Sequence, residues 1–242
     1  MTPSARIVDI AELDFALEPT RWAFAEDETR GIAAHWAKLR EKNPHLYNGR
    51  VLLLARREFS PRADGSLRMT GAYFETDFAN FVAWRDRGYP GEPVENCFSM
   101  AALRGADGAF LLGEMAPHTM NAGQTYFPAG TPDLSDVFEG KVDLEASARR
   151  ELLEETGVAA DEAAIQPDWT LVLAPGRIAC MKQMTLPVPA EEAKAWIHAF
   201  LAREPLAELT CMHVVRGAKD IEQKRTPAYI AAYLRAAFAS VA

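Results

Sequence analysis

Short runs of apolar residues alternate along this chain with longer amphipathic segments, which predicts strands alternating with helices. In the C-terminal part, strands are predicted at 97–102, 109–113, 125–127, 169–173, 177–186 and 209–215. The first two of these strands flank an Asp107-Gly108 pair that is typical of a hairpin turn. Helices are predicted at 144–156, 191–202 and 226–240. This order predicts an α/β fold class in which helices cover both faces of a mixed sheet, an α/β/α sandwich.

The N-terminal residues form a separate predicted unit of α+β type. Strands are predicted at 6–10, 51–57 and 66–74, and helices at 27–41 and 78–87. The segment Tyr89-Pro90-Gly91-Glu92-Pro93 is rich in turn formers and is interpreted as a linker. We therefore expect an accessory region at 1–93 and a second domain at 94–242.

Composition narrows the classes of partner and location. The chain has 242 residues, 49% of them hydrophobic, which is enough to bury a full core. Its formal net charge is −8 without a long run of Lys or Arg, which argues against binding to nucleic acid or to an anionic membrane. Neither a signal segment nor an apolar run of about eighteen residues is evident. We therefore expect a cytoplasmic protein. Cys97, Cys180 and Cys211 lack metal-ligand spacing and are predicted to be buried thiols.

The most informative segment is Arg150-Glu151-Leu152-Leu153-Glu154-Glu155-Thr156-Gly157-Val158. Glu151, Glu154 and Glu155 stand at i, i+3 and i+4 of a predicted helix and so share one face. Like charges at this spacing repel, and hard divalent cations such as Mg²⁺ or Mn²⁺ take oxygen ligands. The alternative interpretation is a solvated acidic helix face, which is the commoner meaning of such clusters.

This segment resembles the second half of the Nudix box, which reads Arg-Glu-aliphatic-x-Glu-Glu-x-Gly-aliphatic. The resemblance implies a Nudix sandwich and a hydrolase that cleaves the diphosphate of a nucleoside diphosphate linked to another moiety. It also implies metal binding by Glu151, Glu154, Glu155 and the carbonyl of Ala129. Arg150 would orient a glutamate. The proton acceptor would be Glu154 or an acid from a distal loop, and the open candidates for that acid are Glu191, Glu192 and Glu208.

The first half of the box matches less well. The family pattern begins with Gly, has Glu at its seventh position and places Arg fourteen residues after the Gly. Here Tyr126-Phe127-Pro128-Ala129-Gly130 resembles the opening turn, yet Gly130 lies twenty residues before Arg150. About six extra residues are therefore expected within 131–143, and a start at Gly140 would be four residues too close. Asp143 is predicted to cap the helix, with replacement of the missing Glu as the alternative.

A second, shorter resemblance concerns the substrate. Asn43-Pro44-His45-Leu46-Tyr47-Asn48-Gly49 is similar to a segment of Nudix hydrolases that act on UDP-sugars. A helix end followed by an Asn-Gly turn explains the same residues without a ligand. UDP-sugars are the first expected substrates, followed by compounds of the ADP-ribose or coenzyme A type. The rival hypothesis is a non-catalytic nucleotide-sensing module that acts through a protein partner. A homodimer is a further expectation from the resemblance, because Nudix enzymes with extra N-terminal elements are often dimers.

Overall fold

The computed structural model of the protein describes residues 5–91, 93–221 and 225–240. The N-terminal elements are β1 (Arg6–Ile10), β2 (Glu12–Leu17), α1 (Ala23–Asp27), α2 (Thr29–Lys42), β3 (Arg50–Pro61), β4 (Leu67–Asp77) and α3 (Phe78–Asp86). The chain continues with β5 (Asn96–Arg104), β6 (Phe110–Met115), β7 (Thr125–Tyr126), β8 (Ala129–Gly130), β9 (Val137–Phe138), β10 (Lys141–Val142) and α4 (Leu144–Thr156). The last elements are β11 (Ala164–Ile165), β12 (Trp169–Ala174), β13 (Arg177–Thr185), α5 (Ala190–Leu201), β14 (Leu209–Val215) and α6 (Ala228–Ala239).

The larger sheet has the strand order β1-β12-β13-β5-β6-β14, with β7, β8 and β11 attached at its margins. The β13–β5 pair is parallel and the other main pairs are antiparallel, so the sheet is mixed. Ala148 and Leu152 of α4 and Ile197 of α5 are buried against one face. Ile230 and Leu234 of α6 are buried against the other. The predicted α/β/α sandwich with a mixed sheet is thereby confirmed.

A smaller sheet of order β3-β4-β2-β10-β9 carries the predicted N-terminal α+β region. Phe15 and Tyr73 on one of its faces join Leu171 and Cys180 of the larger sheet in one apolar core. A second apolar cluster places Trp84 of α3 among buried residues of β3 and β4. Apolar residues on both sides of this small sheet make it a layer of the core.

Strand pairing crosses the expected boundary at residue 93 in two places. β1 pairs antiparallel with β12 in the larger sheet, from Arg6↔Leu173 to Ile10↔Trp169. Conversely, β10 from the C-terminal part of the chain pairs with β2 through Lys141↔Ala16 and extends the smaller sheet. The division into 1–93 and 94–242 remains a prediction, and Glu92 of the expected linker lies outside the described residues.

The extra residues before α4 form a hairpin that the sequence analysis did not predict. β9 and β10 pair antiparallel, with Lys141 opposite Phe138, so the turn consists of Glu139 and Gly140. Both turn residues have positive φ, 48° and 76°, as a two-residue turn of type I′ requires. The insertion is therefore an ordered extension of the smaller sheet.

The cysteine prediction is correct at two of its three positions. Cys97 and Cys180 are fully buried, with their sulfur atoms 3.6 Å apart. Cys211 is only partly buried, because it lies on the edge strand β14. Over 5–91, 93–221 and 225–240, no helix combines the length and apolar character needed to cross a bilayer.

Candidate metal and substrate site

Helix α4 is fixed at both ends by its own sequence. Asp143 is its N-cap, and the Asp143 carboxylate accepts hydrogen bonds from the backbone N–H groups of Glu145 and Ala146, both at 2.9 Å. Gly157 ends the helix in the left-handed region, at φ 71°, and its N–H bonds to the Leu153 carbonyl at 2.8 Å. The predicted limits of this helix, 144–156, are confirmed. Asp143 is used as a cap, which is the first of its two predicted roles.

Glu155 is the most deeply buried of the three glutamates, with 6% of its surface exposed. Its Oε1 accepts a hydrogen bond of 3.3 Å from the backbone N–H of Ala129. Burial, followed by the nearby charges of Glu151 and Glu208, raises the pKa of the Glu155 carboxyl well above its usual range. The charged side chains that shift this pKa are all carboxylates. The buried Glu155 carboxylate would therefore bind a cation strongly.

Glu151 lies one helical turn earlier and packs against the backbone of β8. A Cβ on Gly130 would overlap the Glu151 carboxylate, so glycine at this position leaves room for that carboxylate against the strand. Burial raises the pKa of Glu151 to about 7, with a further upward contribution from Glu154 and an opposing one from Arg150. Glu151 and Glu155 therefore place two carboxyl groups of raised pKa beside Ala129 and Gly130.

Arg150 is held by a carboxylate that the sequence analysis missed. Asp136 is 3% exposed, and its oxygens accept hydrogen bonds of 3.0 and 3.2 Å from the Arg150 guanidinium. If Gly130 is counted as the first residue of the box, Asp136 is the seventh, with Asp in place of Glu. Counting from Gly130 would have found it, and it places the insertion between Asp136 and Arg150.

The same guanidinium also contacts two of the glutamates. Arg150 Nη1 lies 2.8 Å from Glu151 Oε1 and 3.1 Å from Glu154 Oε2. Glu154 points outward, with 58% of its side chain exposed. Among the described residues, the oxygens of Glu151, Glu154 and Glu155 do not all come within 4.8 Å of one another. The structure thus brings Glu151 and Glu155 together beside Ala129, and leaves Glu154 at the rim.

The donor atoms at this site suit a hard divalent cation. Its donors are carboxylate oxygens beside the backbone of Ala129, which is the donor type that Mg²⁺ and Mn²⁺ prefer. The negative charge of Glu151 and Glu155 is incompletely balanced, because Arg150 is shared with Asp136 and Glu154.

A cavity of about 690 Å³ opens beside Glu155. One end is lined by Ala129, Gly130, Glu155 and Glu208. The remaining wall is mainly aromatic and basic, and includes Phe78, Phe81, Arg85, Tyr89, Phe98, Tyr126, Arg177 and Tyr229. This volume suits a drug-sized or nucleotide-sized ligand.

Arg177 is a basic residue of that wall and contacts two tyrosines. Its guanidinium donates a 2.6 Å hydrogen bond to the Tyr89 hydroxyl and lies 5.3 Å from the centre of the Tyr229 ring. These two neighbours are neutral side chains. The cavity therefore carries carboxylates at one end and a tyrosine-bound guanidinium in its wall.

The structure separates the three distal acids that were left open as proton acceptors. Glu208 lines the cavity, and its charge acts on both Glu151 and Glu155. Glu191 instead pairs with Arg216 at 3.1 Å on the surface. Glu192 is exposed in the first turn of α5 and does not line the cavity. Of the three, only Glu208 faces the candidate site.

The N-terminal segment 43–49 contributes directly to the cavity. His45, Leu46 and Tyr47 line it, and the His45 ring lies 6.4 Å from the ring of His118, which lines it as well. The asparagines of the segment have structural partners: the Asn43 side-chain N–H donates to the His118 carbonyl, and Asn48 accepts from the Ala79 N–H. These contacts fit the structural interpretation of the two asparagines, a helix end followed by a turn.

No family model and no curated protein matches the chain. Solved structures similar to it include a Nudix hydrolase from M. smegmatis, RenU, at 14% identity and a TM-score of 0.38, covering 60% of this chain and 84% of that one. Another is the MutT protein from Methanosarcina mazei Go1, at 16% identity and 0.39, covering 61% and 96%. A third is a Nudix hydrolase from Nitrosomonas europaea, at 16% identity and 0.36, covering 61% and 90%. What the site does has to be derived from its own residues.

Substitution of Asp143 separates its capping role from metal binding. Asp143→Ala removes both cap hydrogen bonds and should cost about 1 kcal/mol of unfolding free energy, measured by urea denaturation. Asp143→Asn keeps a capping oxygen and should leave stability and catalytic activity close to those of the natural protein. Loss of activity in a stably folded Asp143→Asn protein would instead assign Asp143 to the metal.

The raised pKa values of Glu151 and Glu155 predict a pH-dependent response to Mg²⁺. These carboxyls bind protons more tightly in the folded than in the unfolded chain, so they favour folding at low pH. That contribution is lost as pH rises past the usual glutamate range toward about 7 for Glu151. Because a cation replaces the lost protons, Mg²⁺ should raise Tm by a few degrees at about pH 8 and by much less at about pH 5. Thermal melts at both pH values measure this difference.

Glu155→Gln is the matched variant for these melts. Its neutral side chain should shrink both the fall in Tm between about pH 5 and about pH 8 without metal and the rescue by Mg²⁺. An equal Mg²⁺ effect at both pH values, or an undiminished effect in Glu155→Gln, would contradict the assignment of the site.

Proposed function

We propose that this protein is a Nudix hydrolase that cleaves the diphosphate of a nucleoside diphosphate linked to another moiety, using Mg²⁺ or Mn²⁺. One observation carries the proposal: Glu155 lines a nucleotide-sized cavity together with Ala129 and Gly130, and Glu151 packs against Gly130 beside it. The segment Arg150–Val158, which resembles the Nudix box, thus supplies buried acids next to a cavity that a ligand could enter.

The proposed metal ligands are Glu151, Glu155, Glu154 and the Ala129 carbonyl. When bound, the metal would neutralise diphosphate oxygens and lower the pKa of an attacking water. Glu154 would have to turn inward from the rim, which its 58% exposure and its single contact with Arg150 allow. Arg150 is assigned a positioning role, because Asp136 holds it with its face toward the glutamates.

Glu208 and Glu154 are the two candidates for the proton acceptor. Glu208 lines the cavity together with Glu155, and its charge acts on both Glu151 and Glu155. A carboxylate placed there would accept a proton from a water held near Glu155. We favour Glu208 for this role, with Glu154 completing the metal site.

The proposed substrate class follows from the aromatic and basic residues that line the cavity. Tyr126 and Tyr229 present aromatic rings that suit a nucleobase, and Arg177 presents a guanidinium that suits a phosphate or a sugar carboxylate. Because His45, Leu46 and Tyr47 line the same space, the segment similar to that of UDP-sugar hydrolases is placed to contact the ligand. UDP-sugars remain the first candidates, followed by substrates of the ADP-ribose and coenzyme A types. A cytoplasmic location and a homodimer are part of the proposal.

A substrate panel tests the function directly. UDP-glucose, ADP-ribose, NADH, coenzyme A and diadenosine polyphosphates should be incubated with the protein, with and without Mg²⁺, and the released nucleotides identified by chromatography. We expect cleavage of at least one compound to a nucleoside monophosphate, only with metal, and fastest for UDP-glucose. Nucleotide binding without any cleavage would favour the non-catalytic sensor.

Two carboxamide variants test the roles of the acids. Glu155→Gln should lower kcat by about 100-fold or more, since a metal ligand contributes several kcal/mol to the transition state. Glu208→Gln should lower kcat and remove one limb of the pH–rate profile, while leaving the Mg²⁺-induced change in Tm intact. Glu58→Gln, an exposed glutamate of β3 outside the cavity, is the control. Near-natural activity of Glu155→Gln would rule out the proposed site.

A further inference from the structure

A second cluster of ligand-type side chains lies at the free edge of the larger sheet. Cys211 and His213 are two residues apart on β14 and therefore point to the same face. Cys211 is paired in register with Glu114 of the neighbouring strand β6. Two strands that are nearly a hundred residues apart in sequence thus bring a thiol, an imidazole and a carboxylate together.

The three ligand atoms are spaced like the corners of a metal tetrahedron. Cys211 Sγ lies 3.5 Å from His213 Nε2 and 3.9 Å from Glu114 Oε2, and the last two atoms are 2.9 Å apart. Zinc bonds of about 2.3 Å to sulfur and about 2.1 Å to nitrogen and oxygen, at the tetrahedral angle, give separations of about 3.4 to 3.6 Å. Side-chain adjustments of about half an ångström would satisfy this geometry without a backbone shift.

These three ligand types favour a different class of metal ion from the class that the glutamate site favours. A thiolate and an imidazole favour zinc-class ions such as Zn²⁺ and Co²⁺, whereas Mg²⁺ takes oxygen ligands. Among the described residues, this is the one group of three such side chains whose ligand atoms all lie within 4.8 Å of each other. The cluster is chemically distinct from the Glu151–Glu155 pair.

The surroundings leave access and room for a fourth ligand. His213 is 38% and Glu114 23% exposed, and His213 also lines a small cavity of about 240 Å³ with Glu191 and Asp220. Arg225 contacts Glu114 Oε2 at 2.9 Å, and a cation bound to this oxygen would replace that contact. Burial raises the pKa of the Cys211 thiol, so metal binding would release its proton.

We propose that Glu114, Cys211 and His213 form a binding site for one zinc-class divalent ion, through one oxygen, one sulfur and one nitrogen. This site is independent of the hydrolase proposal, since it shares no ligand with the glutamate pair.

Cobalt titration of the metal-free full-length protein tests the site. Co²⁺ should be added in the presence of excess Mg²⁺, which occupies oxygen-only sites, while absorption is recorded. We expect one equivalent to give a near-ultraviolet thiolate-to-cobalt charge-transfer band and intense visible bands of tetrahedral Co²⁺, both removed by one equivalent of Zn²⁺. Absence of the charge-transfer band in the natural protein would overturn the proposal.

Single-residue variants test which side chains produce the cobalt absorption bands. Cys211→Ser should abolish the charge-transfer band, and His213→Ala should weaken Co²⁺ binding by at least about tenfold. His35→Ala is the matched control, because His35 also lies 2.9 Å from a carboxylate, that of Asp86, and is not one of the three proposed ligands. Glu155→Gln should also bind Co²⁺ normally, which separates this result from the hydrolase site. A band that survives in folded Cys211→Ser protein would assign the metal to other thiols and refute the site.

Discussion

The close approach of helix α4 to strand β8 is the constraint on which the candidate site depends. Gly130 lacks the Cβ that would overlap the Glu151 carboxylate, so this carboxylate can lie directly against the backbone of the strand. At that distance the Ala129 N–H reaches Glu155, and both carboxyl groups lose much of their water. The raised pKa values follow from this packing. A site that concentrates negative charge has thus been built by apolar burial of the opposite helix face, where Leu152 and Ala148 contact the core.

The charged side chains around this helix form one connected network of ion pairs. Asp136 is nearly inaccessible and binds the Arg150 guanidinium, which in turn contacts Glu151 and Glu154. Breaking a buried ion pair by removing one partner is costly, so Asp136 keeps Arg150 from swinging away. Glu155 receives no part of this compensation. It is therefore the position at which a cation has most to contribute.

Local signals explain what the sequence predicted well. Helix α4 was predicted to its end residues because Asp143 and Gly157 are cap residues that act within one turn of the chain. Strand β14 was predicted with its limits at 209 and 215. The pairing of Cys211 with Glu114 was not foreseen, because it depends on the register between two strands and on no nearby residue. Asp136 was missed for a simpler reason, since Asp stands where the family pattern has Glu. The strand β2 was also missed, because its partners β4 and β10 are distant in sequence. The β9–β10 hairpin was missed because strands of two residues are too short to show an alternating pattern.

The exchange of strands across residue 93 bears on how this protein can be divided. β1 covers the outer edge of β12, and β2 covers the inner edge of β10, immediately before the cap of α4. A polypeptide beginning at residue 94 would therefore present two bare strand edges, and bare edges recruit other chains. The C-terminal portion expressed alone should therefore aggregate, even though it contains the whole of helix α4.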